Sequence, residues 1–162
     1  MATERELDII CIGRSSVDLY GQQSGGRLED MASFAKSVGC SPTNIAIGAS
    51  RLGLRAALIT RGGDEHMGRF IRETLEAERV DTRFVVTDPE RLTALVLLGI
   101  RDQHTFPLIF YRENCADMAI SEEDIDPIFG ILARTRMVSF VLLPIKMSLY
   151  ICSPCCRFAT WW

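Results

Sequence analysis

Apolar residues recur along this chain in short runs, and between the runs they fall at helical spacing, a pattern of strands alternating with helices. Leu7–Gly13 is an apolar run closed by glycine, as expected of a strand buried on both faces of a parallel sheet. The polar segment Arg14–Asp18 follows, where a strand end would turn side chains toward a crevice. Gly21–Gly26 and Met31–Lys36 alternate weakly and predict short strands around a loop. Ser41 suits an N-cap and Pro42 the first helical position, where its missing N–H costs nothing; Gly53 suits the C′ position that closes the helix. Arg55–Thr60 predicts the next strand and Gly62-Gly63-Asp64 a turn. Met67, Phe70, Ile71 and Leu75 then share one helical face, with Arg69, Arg72, Glu73 and Glu76 on the other.

Val80–Val86 predicts a further strand, ended by a turn at Asp88-Pro89. Leu92–Ile100 and Thr105–Arg112 flank the polar Arg101–His104 as the arms of a β-hairpin would. Ser121, followed three residues later by Asp124, has the spacing of a capping box that opens another helix. The expected fold class is α/β, a partial doubly wound sheet with a small β lid hairpin.

Composition is that of an ordinary globular chain: 162 residues, 48% hydrophobic and 24% charged. A net charge of −3 gives no reason to expect nucleic acid as a partner. Met1–Asp8 is polar and lacks the basic start and apolar stretch of a signal peptide, so the six cysteines read as reduced, cytoplasmic thiols. The averages hide a break, because all 21 acidic residues lie between Glu4 and Asp126. Positions 1–127 carry −7 and positions 128–162 carry +4, and both tryptophans fall in the second part. A junction is therefore expected near Pro127, with 1–127 as the folded unit and 128–162 as an atypical extension without selected structure. Two sharper readings of that extension fall short. Met137–Ile151 is apolar but interrupted by Pro144 and Lys146, and it is shorter than the roughly 18–20 residues that span a bilayer. Cys152-x-x-Cys155-Cys156 is half a zinc site, with His66 and His104 far upstream.

Candidate chemistry gathers in two places. Asp18, beyond the first strand's carboxyl end, sits where open α/β sheets bind ligands, and its carboxylate can accept two hydroxyl hydrogen bonds; a solvated loop aspartate is the equal alternative. Asn44, one turn into a helix, can donate to and accept from neighbouring hydroxyls at once, although taken alone it reads first as a local cap or an exposed helix residue. Gly39, Ala46, Gly48, Ala49 and Gly53 form a small-residue surface that admits close backbone approach.

The segment Gly39–Gly53 resembles the N-terminal signature of the ribokinase-like (PfkB) carbohydrate kinases: a glycine pair, three residues, asparagine, small residues and a helix-ending glycine. Gly39, Asn44, Ala46 and Gly53 match it, and Cys40 stands at the second glycine. The likeness runs from about Asp8 to Asp126 and includes Val17-Asp18, Gly63-Asp64-x-x-x-Gly68 and the hairpin. Two segments, Ile12–Gly21 and Phe106–Asn114, are similar to the branch that phosphorylates 5-dehydro-2-deoxygluconate in inositol catabolism. The resemblance implies ATP as donor with Mg²⁺, and a sugar or sugar acid as acceptor. It implies that Asp18, Gly39 and Asn44 meet sugar hydroxyls beside Cys40, under the hairpin as a lid. Arg112, with Tyr111 beside it, then suits a sugar-acid carboxylate, because guanidinium binds carboxylates bidentately; an ordinary surface or ion-paired arginine is the alternative. At Cys40 a Cβ costs on the order of 1 kcal/mol if the backbone needs φ > 0. Gly62 and Arg79 also depart from the pattern, Arg79 standing where a helix-ending glycine is usual.

Phosphoryl transfer needs a base at the acceptor hydroxyl and donors around the phosphate. The family supplies both from a late glycine-rich loop ending in aspartate. After Pro127 this chain has one glycine, Gly130, and no carboxylate. Gly62-Gly63-Asp64 comes too early to be that loop. The expectation is the N-terminal, sugar-holding part of such a kinase, without the catalytic aspartate, inactive alone and not binding ATP or Mg²⁺. The alternative is a non-catalytic sugar-binding protein, or one that pairs with a homologue or itself through the lid, with no membrane or nucleic-acid partner in either case.

Overall fold

The computed structural model describes residues 6–132, 135 and 137–141. In chain order the elements are β1 (Ile9–Gly13), β2 (Ser16–Gly21), β3 (Phe34–Gly39), α1 (Ser41–Arg51), β4 (Ala56–Gly63) and α2 (His66–Ala77). They continue with β5 (Val85–Asp88), β6 (Ala94–Leu98), β7 (Leu108–Tyr111), the one-turn helices α3 (Glu122–Ile125) and α4 (Phe129–Leu132), and β8 (Met137–Val141). Among the described residues these strands form two four-stranded sheets, in the orders β5-β4-β1-β8 and β3-β2-β6-β7.

The first sheet is parallel throughout, and β1 and β4 at its centre explain its two-sided burial. Ile9, Cys11, Ala56 and Leu58 point to one side, into a core shared with Ala46, Ile47, Ile71 and Leu75 of α1 and α2. Ile10, Ile12, Ala57 and Ile59 point to the other, against Ile125 and Ile128. Each fully buried aliphatic side chain of this kind contributes about 1.5–3 kcal/mol of transfer free energy. Helices on both faces of a parallel sheet make the α/β, doubly wound arrangement expected from the sequence. The second sheet is the lid, and it is wider than a hairpin. The expected arms, β6 and β7, pair antiparallel, and β6 also pairs parallel with β2, which pairs antiparallel with β3.

Several boundaries differ from those expected. Arg14–Asp18 does not end a strand; Ser16 opens β2, so Asp18 lies inside a strand with Ser37 opposite. The strands expected at Gly21–Gly26 and Met31–Lys36 are displaced into β2 and β3, with a 3-10 turn at Leu28–Asp30 between them. Helix α1 starts at Ser41, one residue early, because the Cys40 carbonyl accepts the first helical bond from the Asn44 N–H at 3.0 Å. Gly62 and Gly63 are strand residues, paired with Thr87 and Asp88, rather than a turn. Val80–Asp81 makes only an isolated bridge to Ala57, and the strand proper is β5. The change in composition at Pro127 does not end the regular structure: α4 and β8 follow it, and β8 pairs parallel with β1 in register from Ile9↔Met137 to Gly13↔Val141. The cysteine cluster and most of the apolar run of the extension lie outside the described residues. Among the described residues no helix is long and apolar enough to cross a membrane.

Gly53 closes α1 at φ 86°, as expected, and Arg79 stands in the left-handed region at φ 60°. The Asp124 carboxylate accepts from the Ser121 N–H at 2.9 Å, completing the capping box. Glu65 caps α2 by accepting from the Met67 and Gly68 N–H groups and also accepts from the Thr93 N–H at 3.1 Å, tying α2 to the start of the lid.

The seat of α2 on β4 predicts opposite outcomes for two helical glycines. A Cβ at Gly68 would overlap the Gly63 carbonyl oxygen, whereas a Cβ at Gly48 meets nothing within 4 Å. Gly68→Ala is expected to cost about 1–3 kcal/mol in urea unfolding. Gly48→Ala is expected to gain about 0.5–1 kcal/mol. Equal effects would contradict the close approach of α2 to β4.

Candidate functional site

The site forms where the first sheet, α1 and the lid meet. Ser16 at the start of β2 faces Gly39 at the end of β3. A Cβ on Gly39 would overlap the Asp18 carboxylate, so glycine is what lets that carboxylate lie against the β3 backbone. Ser16 Oγ donates to Asp18 Oδ1 at 2.9 Å. Cys40 follows Gly39 with φ 75°, the left-handed region that the sequence comparison with a glycine pair implied. Its Sγ lies 3.2 Å from Ser16 Oγ and accepts from Arg112 Nη2 at 3.0 Å.

Arg112, just past β7, is held at a second point. Its Nη2 is 3.6 Å from Asp117 Oδ2, and Arg14 Nε, just past β1, is 2.8 Å from the same oxygen. Asp117 is 1% exposed, so one buried carboxylate serves two guanidinium groups. The Nε–H of Arg112 is buried and makes no hydrogen bond. A buried guanidinium donor without an acceptor is costly.

Of the residues expected from sequence, Asp18, Gly39, Cys40 and Arg112 are brought together by these contacts. Asn44 is exposed on the first turn of α1, one turn on from Cys40. Tyr111 is 57% exposed on the lid strand, and its phenol is not part of the bonded cluster. Sequence reasoning missed Ser16, Arg14 and Asp117. Nothing in the sequence marked Asp117 as their partner, since Asp18 and Glu113 lie nearer to Arg14 and Arg112 along the chain.

Burial pushes the Cys40 thiol above its ordinary range. The Ser16 hydrogen bond and the Arg112 charge pull it down, and the Asp117 and Asp18 charges push it up again. Burial likewise raises Cys115, with Asp117 adding to the rise and Arg14 and Arg112 opposing it. Cys11, in the core, is raised by burial to about 12.

The pfkB family carbohydrate kinases match residues 6–133 of the chain. The 5-dehydro-2-deoxygluconokinase of Halalkalibacterium halodurans is 35% identical over 140 residues, covering 86% of this chain and 42% of that protein. The protein of the same name from Geobacillus kaustophilus is 36% identical over 137 residues, covering 84% and 41%. A sugar kinase of Pyrococcus horikoshii, solved in complex with ATP, superposes with a TM-score of 0.74 at 31% identity, over 82% of this chain and 42% of that one. The chain thus spans about two fifths of the length of the relatives it matches.

The raised thiol predicts that Cys40 resists alkylation at neutral pH. Peptide-resolved mass spectrometry after iodoacetamide treatment should show its labelling rising only above about pH 8.5, the free-thiol value. Cys11 should stay unlabelled until the fold opens. Neutral-pH labelling of Cys40 at the rate of a free thiol would contradict the half-buried, bonded position.

Proposed function

The chain belongs to the pfkB family of carbohydrate kinases, and from that premise we propose that it forms the sugar-holding part of a kinase site for a sugar acid. The observation that carries this reading is Arg112, a guanidinium fixed between Cys40 and Asp117 with one buried donor unmet. Asp18, its Oδ1 already accepting from Ser16, offers Oδ2 to a sugar hydroxyl. Gly39 and Asn44 bring backbone and amide groups to the same ligand, Cys40 lines the pocket, and Tyr111 closes over it from the lid. Arg112 meets the carboxylate. The names of the relatives support 5-dehydro-2-deoxygluconate as the acid.

In the family ATP supplies the γ-phosphoryl group. Among the described residues there is no group of three or more His, Cys, Asp or Glu that could hold a metal ion. Gly62 and Gly63 are committed to pairing in β4. The role proposed for this polypeptide is therefore to bind and orient the acceptor, without phosphoryl transfer by these 162 residues alone.

A second reading, pairing with a copy or a homologue through the lid, has its own observation. Leu108, Ile109, Phe110 and Tyr111 are all exposed along β7, an edge strand of the second sheet. Exposed edges of this kind pair readily.

Calorimetric titration with D-gluconate, a stable sugar acid, tests the main reading. Saturable binding is expected, weakened about tenfold or more in Asp18→Ala by the loss of a charged acceptor. Incubation with ATP and Mg²⁺ should leave the sugar acid unphosphorylated. Absence of binding, or indifference to Asp18→Ala, overturns the sugar site, and ATP-dependent phosphorylation overturns the inactivity. Light scattering addresses the second reading: a defined dimer dissociated by Ile109→Lys supports it, and a monomer rejects it.

A further inference from the structure

Cys40 holds a backbone conformation that disfavours any side chain, yet its thiol is bonded on both sides. The direction of those bonds follows from counting hydrogens. The Ser16 hydroxyl has one hydrogen, and Asp18, a carboxylate, can only accept it. The contact between Cys40 Sγ and Ser16 Oγ is then S–H donating to oxygen. Arg112 has no acceptor, so Nη2 donates to the same sulfur. The result is a one-way chain: Arg112 to Cys40, Cys40 to Ser16, Ser16 to Asp18.

We infer that Cys40 is a positioning and selectivity residue whose thiol couples the carboxylate-binding end of the pocket, Arg112, to its hydroxyl-binding end, Asp18. The inference rests on the sugar-acid reading above. Glycine at this position would relieve the backbone but open the chain. Arg112 would then keep the Phe110 ring at 5.8 Å and Asp117 at 3.6 Å, an oxygen already engaged by Arg14 at 2.8 Å, but no hydrogen-bond acceptor on the Asp18 side. Each link of such a chain polarises the next, so a carboxylate drawing on Arg112 strengthens the chain as a whole. Acids are thereby favoured over neutral polyols of the same size. Serine keeps one hydrogen and an acceptor at the right position, so it closes the chain as cysteine does. The high thiol range caused by burial suits a neutral link rather than a reactive one.

The test compares the full chain with Cys40→Gly and Cys40→Ser, using D-gluconate and its neutral counterpart D-glucitol in calorimetry, together with thermal melts. Cys40→Gly is expected to melt higher, because the left-handed position no longer carries a Cβ. It should nonetheless bind gluconate about three- to tenfold more weakly, the loss of one net hydrogen bond, with little change for glucitol. Cys40→Ser should retain the preference for gluconate. If Cys40→Gly binds gluconate as tightly as the unmodified chain, or loses both ligands equally, the coupling role is wrong while the sugar site stands. If Cys40→Ser loses the preference, the chain of bonds is not what sets it. If the unmodified chain binds neither ligand, the sugar-acid reading fails and this inference with it.

Discussion

One buried carboxylate holds the candidate site together. Asp117 lies in a 3-10 turn that the Leu92 carbonyl anchors through the Ala116 N–H at 2.9 Å. From there it reaches Arg14 past the end of β1 and Arg112 past the end of β7. It therefore ties the central strand of the first sheet to the outer strand of the lid. Breaking a buried pair of this kind by removing one partner costs about 3–5 kcal/mol, since an uncompensated charge is left inside. The same carboxylate fixes where positive charge sits in the candidate site. Because two guanidiniums share it, Arg112 is the less fully paired, the arginine with the longer contact and the unmet Nε–H.

The hydroxyl-binding end has a different physical basis. Asp18 reaches the β3 backbone only because position 39 is glycine, and its geometry is fixed by the antiparallel register of β2 and β3. Cys40 joins the two ends at the expense of a strained φ. Such strain, tolerated at a position bonded on both sides, is typical of functional sites, where local stability is given up for geometry.

Much of this was legible in the sequence, because local chemistry decides it. The capping box at Ser121, the closing glycine at Gly53 and the two arms of the lid hairpin each follow from residues acting on their immediate neighbours. The left-handed backbone at Cys40 followed from the resemblance to a glycine pair. What was not legible depends on partners distant in sequence. Gly62 and Gly63 have turn chemistry, and only parallel pairing with β5 makes them strand. Ser16 reads as part of a polar loop until β3 and β6 pair with it. Asp117 lies 103 residues from Arg14, and no spacing rule connects them. The compositional break at Pro127 is real, but β8 is selected by pairing with β1 and by Val138 packing on the second core, which need no acidic residues.

The central claim is that Asp18, the Gly39–Asn44 segment and Arg112 form one ligand site. Titrating the ¹⁵N-labelled chain with D-gluconate, while following backbone amides and the arginine Nε–H signals by NMR, tests it most directly. The account predicts saturable shifts confined to Ser16–Asp18, Gly39–Asn44 and Arg112, with the Arg112 Nε–H moving most as it gains an acceptor. Shifts elsewhere with Arg112 Nε–H unmoved, or no saturation at all, would contradict it.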